Sequence, residues 1–387
     1  MKGIALLLSV ISINLCLGQL QPVTSSLVIK LGADTIVVDT YTINNNRLYG
    51  KAFIRLFENH IRVYDVTLNP TGSISGYHVS AMDPVNSSLP LKPKSSYFPL
   101  RADMTWTSDT AYFNITKTNG EKLKMNWSAS SIDFVAGWIP IFPLMDWTYQ
   151  RLANSGKMSL NNLKTTNTWS VTDLSIRYQA QDTLIFGGPF IDYSKIIIGQ
   201  DGISTINGVG SAYNFMITRT APLDVDLIAR RMSKKSAMIA PSPRDTATFN
   251  VHDNKIKIEY GRPFARGRII FGGVVPYDSL WRTGANDPTI ITIEKDIKVG
   301  KSMIPKGTYS LYSIPRKKSW TLIFSHDLDS WPTNPDRTRE FASVELSVRH
   351  LSEKKEQFTI EIIEKEMNGF LKLSWDDTEA YVEFKFL

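Results

Sequence analysis

The sequence predicts an all-β protein, in which an N-terminal antiparallel sheet or open barrel domain is followed by a C-terminal antiparallel β-sandwich. Two observations carry this prediction. Apolar and polar residues alternate with a period of two along many short segments, and Gly, Pro, Asn and Asp separate these segments. Helical patterns are few, so short strands joined by turns account for most of the chain.

The first residues have the features of a secretory signal. Lys2 supplies a positive charge, and a mostly apolar run follows as far as Leu17. We expect cleavage before Gln19, which makes residues 1–18 a signal peptide. The run is short for a membrane span, and no later segment approaches the roughly 18 apolar residues of a membrane helix. We therefore expect an exported protein, periplasmic or extracellular, with no transmembrane segment after signal removal.

Composition excludes several kinds of site. Cys16 is the single cysteine and would leave with the signal peptide, so disulfides, thiolate metal sites and cysteine nucleophiles are not expected. The formal net charge of +7 is spread along the chain without a dense basic block. Nucleic-acid binding needs a more concentrated basic patch, so we expect no nucleic-acid partner.

Residues 19–231 are predicted to form the N-terminal antiparallel β domain. In "KLKMNW" three apolar side chains alternate with polar ones, and Asn119-Gly120 just before them favours a two-residue hairpin turn. One helix is predicted around "PLMDWTYQRLANSG", with Pro143 near its start and Gly156 at its end.

A linker is predicted at residues 232–246, where the chain is first basic and then rich in Pro and Ser. The alternation resumes in residues 247–387, through "KIKIEY", "TYSLYSI", "WTLIF", "VELSV", "FTIEI", "LKLSW" and "VEFKF". Short strands at these intervals predict the C-terminal β-sandwich domain.

The same region carries a dense set of motifs at fixed spacings: Arg262-Pro263, Arg266-Gly267-Arg268, Phe271-Gly272, Val275-Pro276, Trp281 to Asn286, and Gly307 to Tyr312. This pattern closely resembles a family of secreted bacterial proteins, the domain of unknown function 2911, over about residues 239–387. The resemblance implies an exported bacterial protein and brings no activity or catalytic residue with it. The N-terminal region loosely resembles the antiparallel sheets of lipoprotein-carrier-like proteins.

The ligand-binding candidates are Arg262, Arg266, Arg268, Trp281, Arg282 and Asn286. The two arginines that stand two positions apart would share one face of a strand. Guanidinium groups bind carboxylate or phosphate, and a Trp can stack on a sugar, so the set predicts an anionic or glycan ligand. Alternatively, these arginines pair with Asp278, Asp287 or Glu294 and fix a long connection.

Tyr277 and Asp278 are weak acid/base candidates beside this motif, although ordinary turn chemistry also explains the aspartate. The five histidines are far apart and lack metal-ligand spacing, so no metal and no cofactor are expected. A serine nucleophile is not expected either, because "G-x-S-x-G" and a convincing histidine partner are missing from the sequence.

These observations favour a non-catalytic ligand-binding or interaction protein of the cell envelope, whose N-terminal sheet holds a hydrophobic, lipid-like or extended ligand on its concave face. One alternative is a secreted hydrolase-type enzyme that uses Asp278 or Tyr277 with arginine support. Another is a purely structural envelope module. The sequence leaves the ligand and the oligomeric state open.

Overall fold

A computed structural model of the 387-residue chain describes the following ranges: 22–56, 58–69, 73–92, 99–107, 109–117, 119–128, 132, 134–135, 141–166, 171–188, 191–199, 202–208, 215–237, 242–251, 254–330, 335–365 and 368–387. The predicted signal peptide, residues 1–18, lies outside them, and the chain's single cysteine lies there too.

The prediction of an all-β protein is confirmed, because the strands form two large antiparallel sheets of fifteen and nine strands. The strands of the first sheet are β1 Val23–Leu31, β2 Asp34–Asn44, β3 Arg47–Ile54, β4 His60–Leu68, β5 Ile74–Met82, β6 Pro99–Trp106, β7 Thr110–Lys117, β8 Lys122–Ser128, β9 Phe134–Val135, β10 Ser159–Thr166, β11 Val171–Ala180, β12 Thr183–Gly188, β13 Ile191–Gly199, β14 Gly202–Asn207 and β15 Phe215–Thr220.

The chain follows a simple path through this sheet. It runs outwards from β1 to β8, passes through helix α1 (Ile141–Ser155), and returns from β9 to β15, which pairs with β1. Each of these pairs is antiparallel except β9 with β10. In the described residues β8 and β9 stand at the two ends of the sheet and are not neighbours, so the sheet is open.

One face of the fifteen-stranded sheet, called the inner face below, carries a continuous apolar core. It includes residues of β1 to β7 and β11 to β15, and Leu144, Met145 and Leu152 add the buried side of α1. The predicted helix is confirmed, and Gly156 follows it with a positive φ of 66°. Glycine adopts this left-handed conformation without the steric cost of a Cβ, which explains where the helix ends.

A second helix, α2 (Val225–Met232), packs on the opposite, outer face of the same sheet. Asp224 caps it by accepting a hydrogen bond of 2.9 Å from the backbone N–H of Leu227. Val225 and Ala229 are buried against Phe53 and Ile61. This helix was not predicted from the sequence.

The second sheet has the order β16-β17-β18-β21-β22-β23-β24-β19-β20, and its pairs are antiparallel. Its strands are β16 Arg244–Val251, β17 Asn254–Gly261, β18 Thr289–Ile293, β19 Ile297–Val299, β20 Ser302–Ile304, β21 Gly307–Pro315, β22 Ser319–Ser325, β23 Glu340–Lys365 and β24 Asn368–Phe386.

Two long strands of this sheet extend over both sides of a single apolar core. β23 has 26 residues and β24 has 19, with register shifts near their middles. Leu346 and Phe358, from the two halves of β23, are buried in the same core, as are Leu373 and Phe384 of β24. Both layers of the predicted sandwich are thus joined through these strands into one hydrogen-bonded sheet.

β16 begins at Arg244, inside the segment predicted as a linker. The domain boundaries at 19–231, 232–246 and 247–387 stay a prediction.

Candidate functional site

Arg262, the first predicted ligand-binding residue, bonds to three groups of the protein. Its Nη1 contacts Asp245 Oδ2 at 2.8 Å, and its Nε donates to the carbonyl of Phe358 at 3.1 Å. Its Nη2 donates to Thr359 Oγ1 at 3.0 Å. Arg262 therefore ties β16 to the distal half of β23, and the guanidinium holds the pKa of Asp245 below its usual value.

Arg266 lies in a turn rather than in a strand, so the expected common strand face with Arg268 is wrong. Arg266 and Gly267 have φ values of 51° and 71°, and Arg268 N–H donates to the carbonyl of Ala265 at 3.0 Å. Two consecutive positive φ values are typical of a type I′ turn, which ends the strand alternation. Arg266 Nη1 then contacts Asp34 Oδ2 at 2.9 Å, in the first sheet.

Arg268 turns back onto its own loop. Its Nε donates to the carbonyl of Ala265 at 3.1 Å, and its Nη2 donates to the carbonyl of Phe264. Burial lowers the pKa of Arg268 to about 10, and the neighbouring charge of Arg266 acts in the same direction. The carboxylates suggested by the sequence are not the partners of Arg262 and Arg266, because Asp278 pairs with Arg316 and Asp287 with Arg244.

Trp281 is half-buried in an aromatic group and not in an open groove. Its ring lies 5.0 Å from Phe358, 6.0 Å from Trp320 and 6.1 Å from Trp375, measured between ring centroids. Its indole N–H donates to the carbonyl of Gly284 at 3.0 Å. Within the described residues, this geometry fits packing of the core better than stacking on a sugar.

The residues that follow Trp281, as far as Asn286, form a corner. Thr283 is fully buried, with a φ of 51°, and its hydroxyl lies 2.7 Å from Ser313 Oγ. Asn286 is exposed, has a φ of 63°, and donates from Nδ2 to the carbonyl of Ser242 at 3.3 Å. Arg282 is half-buried and has an interaction partner.

The acid/base candidates lie on the surface beside this corner. Asp278 is exposed, with a φ of 57°, and its carboxylate accepts from Arg316 Nε at 3.0 Å. The Tyr277 ring lies over Gly272, where a Cβ would be 2.9 Å from the ring atom Cε2. The structure thus separates the members of the predicted set among different partners, and ligand binding or catalysis by them stays a prediction.

A group of buried polar residues that the sequence analysis missed lies on the inner face of the first sheet. We call Asp39, Tyr41, Arg62, Tyr64, Tyr77, Asp146 and Arg219 the inner polar cluster. Arg219, Asp39 and Arg62 lie in one row across the sheet, with only Leu27 and Ala52 between them in the cross-strand pairing.

Asp39 is the most strongly perturbed carboxyl group of the cluster. It is 1% exposed, and burial raises its pKa to about 7, although a 2.6 Å hydrogen bond from Tyr64 acts in the opposite direction. Tyr64 reaches it across β3 at Gly50, where a Cβ would lie 2.6 Å from the Tyr64 hydroxyl oxygen.

Asp146 attaches α1 to the sheet. It forms a buried ion pair with Arg219 and accepts hydrogen bonds from the Tyr41 hydroxyl at 3.0 Å and the backbone N–H of Ile203 at 3.1 Å. Arg219 also donates to Ser25 Oγ at 2.8 Å. Both charges are therefore paired and hydrogen-bonded, which is the condition for burying an ion pair.

Arg62 places a further cation on the inner face. It is 4% exposed, and burial lowers its pKa to about 10, so it is charged at neutral pH. His60 lies on the same strand; burial lowers its pKa to about 3, and the Arg62 charge adds to the effect. In the sequence, Arg62 and Asp39 were detectable because each is a charged residue at a position where the alternation of its strand places a core-facing side chain.

Comparison with known proteins identifies the C-terminal region. Residues 242–384 match the family model described as "Protein of unknown function (DUF2911)". The DUF2911 region therefore contains the arginines, Trp281 and the corner described above. No curated protein matches the chain. A solved structure, titled for active-site engineering of a GH43 glycoside hydrolase with endo-xylanase and exo-arabinofuranosidase activity, has 8% identity and a TM-score of 0.16, covering 94% of this chain and 84% of that chain.

Two kinds of feature are missing from the described residues. Neither helix is long and apolar enough to cross a membrane. Within the same ranges, no three His, Cys, Asp or Glu side chains are grouped as metal ligands.

Proposed function

We propose that this chain is an exported binding protein of the cell envelope that holds an anionic, lipid-like ligand on the inner face of its N-terminal sheet. The observation that carries the proposal is the partly uncovered apolar face at the β8 end. Leu123, Met125 and Trp127 pack against the core but are only half-buried, whereas the core residues of the central strands are buried. Uncovered apolar surface of this kind is where an apolar chain can dock.

A tryptophan at this end offers an unused hydrogen-bond donor. Trp106 and Trp127 stand on either side of Ala111 in the cross-strand pairing. The indole nitrogen of Trp106 is buried and has no hydrogen-bond partner among the described residues. Buried donors are almost always satisfied, so a polar group of a ligand would remove an energetic cost at this place.

The charge of the inner polar cluster favours an anion. Asp146 and Arg219 neutralise each other, and Asp39 is protonated below about pH 7. Arg62 adds a further cation to the cluster. A guanidinium binds a carboxylate or phosphate head group well, and an apolar chain would extend from it towards β8.

Binding is tested by titrating the mature protein with oleate while the fluorescence of its tryptophans is recorded, with octyl glucoside as the uncharged amphiphile. We expect saturable binding of oleate that Met125→Arg weakens at least about tenfold, because a charge would have to be desolvated against the acyl chain. Arg62→Met should reduce the preference for oleate over octyl glucoside by about ten- to a hundredfold.

Lys124→Gln is the matched control, since it changes the outward face of the same strand. It should bind oleate as the unaltered protein does. Equal binding by Met125→Arg and Lys124→Gln, with circular dichroism showing both folded, would exclude the inner face as the site.

Export rests on the predicted signal peptide and is tested separately. Residues 1–18 fused to a reporter should direct it out of the cytoplasm, and N-terminal sequencing of the exported product should begin at Gln19. A reporter retained in the cytoplasm would contradict the proposed location.

A further inference from the structure

The outer face of the first sheet carries a second group of polar residues, on strands β5 and β6. Tyr77 and Val79 of β5 point into the core, so His78 and Ser80 point outwards. On β6, Asp103 is the cross-strand partner of His78, and Arg101 is the partner of Ser80. The four side chains therefore share one surface, opposite the inner polar cluster.

Hydrogen bonds connect these residues in a chain. His78 Nδ1 lies 2.6 Å from Asp103 Oδ1, and His78 Nε2 lies 2.9 Å from Ser80 Oγ. Because the carboxylate can only accept, Nδ1 carries a proton that it donates to Asp103. Nε2 of the neutral ring is then the acceptor for the Ser80 hydroxyl, which is the tautomer that a general base requires.

We propose that Ser80, His78 and Asp103 form a nucleophilic triad that hydrolyses small carboxylic esters. Ser80 is the nucleophile, His78 is the general base and acid, and Asp103 orients the imidazole. The side chains of His78 and Asp103 are 38% and 30% exposed, so an ester in solution can reach them. This site is independent of the ligand proposed for the inner face.

Arg101 completes the arrangement. Its Nε donates to Asp103 Oδ2 at 2.7 Å and its Nη2 donates to Oδ1 at 3.2 Å. Partial burial raises the pKa of Asp103, but the hydrogen bonds from Arg101 and His78 outweigh it and leave this pKa lowered. Asp103 therefore remains a carboxylate, and the ion pair fixes its orientation towards His78.

The reaction is complete with water as the second substrate. Ser80 Oγ forms a bond to the ester carbonyl carbon while its proton passes to His78 Nε2. The ester C–O bond then breaks, and the same proton goes to the departing alkoxide, which leaves as an alcohol. Water attacks the acyl-serine with His78 again as base, which releases the carboxylic acid and restores the hydroxyl.

The position of Ser80 within the sheet limits the range of esters. Ser80 pairs with Val63 on one side and Arg101 on the other, so its backbone groups are occupied by the ladders of the sheet. Arg101, the cross-strand partner of Ser80, supplies a positive charge on the same face, and its Nη1 donates no hydrogen bond within the described residues. With this group as the main stabiliser of the oxyanion, we expect activated esters with good leaving groups to react, such as aryl acetates.

The test uses the mature protein, a fluorophosphonate probe and 4-nitrophenyl acetate. We expect one molecule of probe on Ser80, located by peptide mass spectrometry, and release of 4-nitrophenol that Ser80→Ala abolishes. His78→Gln should slow both reactions by about a hundredfold or more, because general-base assistance contributes that much. Asp103→Asn should slow them by at least about tenfold and also change the pH profile of the ester reaction.

Ser75→Ala is the matched control, because it removes an exposed hydroxyl of the same strand outside the triad. Its rates should equal those of the unaltered protein. Absence of probe on Ser80 would overturn the proposal, and so would equal labelling rates in the unaltered protein and His78→Gln. Oleate binding is measured separately, so the proposal for one site can be disproved without affecting the proposal for the other.

Discussion

Gly50 has no side chain at the point where Tyr64 crosses strand β3 to reach Asp39. A Cβ there would lie 2.4 Å from the Thr40 carbonyl oxygen and 2.6 Å from the Tyr64 hydroxyl oxygen. The glycine thereby lets a tyrosine of β4 donate to a carboxyl group of β2 across the strand between them. One missing side chain thus creates the environment in which Asp39 is buried and its pKa is raised.

Asp39 should make the stability of the protein depend on pH in a definite direction. The folded protein keeps this proton up to about pH 7, whereas the unfolded chain releases it near the ordinary value of 3.8. Between these pH values the folded state binds more protons, so the contribution of Asp39 to the free energy of unfolding falls as the pH rises. Asp39→Asn should remove this loss, which amounts to at most about 4 kcal/mol.

The measurement is urea unfolding of both proteins from pH 4 to pH 8. His60 contributes with the opposite sign, because burial lowers its pKa to about 3, but it does so in both proteins. The difference between the two curves therefore isolates Asp39. Curves that stay parallel over this range would contradict the assigned role.

Helix α1 is held by polar anchoring as well as by apolar packing. Asp146 and Arg219 are far apart in sequence and form their ion pair inside the core, with Tyr41 bonded to both side chains. Removing one partner of a buried pair leaves the other charge uncompensated, which costs more than replacing both. The anchoring of this helix is therefore sensitive to single substitutions.

A double-mutant cycle tests this anchoring. Arg219→Met alone should lower the free energy of unfolding by about 3–5 kcal/mol, because Asp146 stays buried without its cation. Adding Asp146→Leu should restore part of the loss. Chemical denaturation gives the coupling between the two sites, and strictly additive effects would show that the pair does not act as a unit.

The two helices differ in how well the sequence predicts them. α1 has fifteen residues, with Pro143 in its first turn and Gly156 directly after its last residue, so its length and its end both indicated a helix. α2 has eight residues, yet Val225, Ile228, Ala229 and Met232 follow the helical spacing and Asp224 caps them. The pattern was present, but two helical turns are too short for periodicity alone to distinguish from a loop.

The two sheets meet where the β1–β2 turn contacts the Arg266 turn of the DUF2911 region. Ala33 N–H donates to the carbonyl of Arg266 at 3.2 Å, and Asp34 pairs with its guanidinium. A Cβ on Gly32 would lie 1.6 Å from the Arg266 carbonyl oxygen. Arg266, a marker of the family motif, thus connects the molecule's two halves.

Gly32→Ala should separate this contact, and Gly120→Ala is its matched control. Both glycines have positive φ values, 61° and 82°, but a Cβ on Gly120 would meet nothing within 4 Å. Both variants therefore place an alanine at a positive φ, and only Gly32→Ala adds the clash of its Cβ with the Arg266 carbonyl oxygen. We expect it to destabilise the protein by at least about 2 kcal/mol more than the control, measured by thermal unfolding. Equal destabilisation by the two variants would show that this contact contributes little to the stability of the protein.

The sequence by itself determined the all-β class, the end of α1 and the match of residues 242–384 to a family model, because these depend on local alternation, turn residues and fixed spacing. Only the tertiary structure decided which side chains meet. His78 and Asp103 are 25 positions apart, and Asp34 and Arg266 are 232 apart. The period of two assigns a residue to one side of its strand, but the neighbouring strand and its register follow from how the sheet is assembled as a whole. That is why a serine with a histidine partner was not predicted, although Ser80 and His78 stand two residues apart.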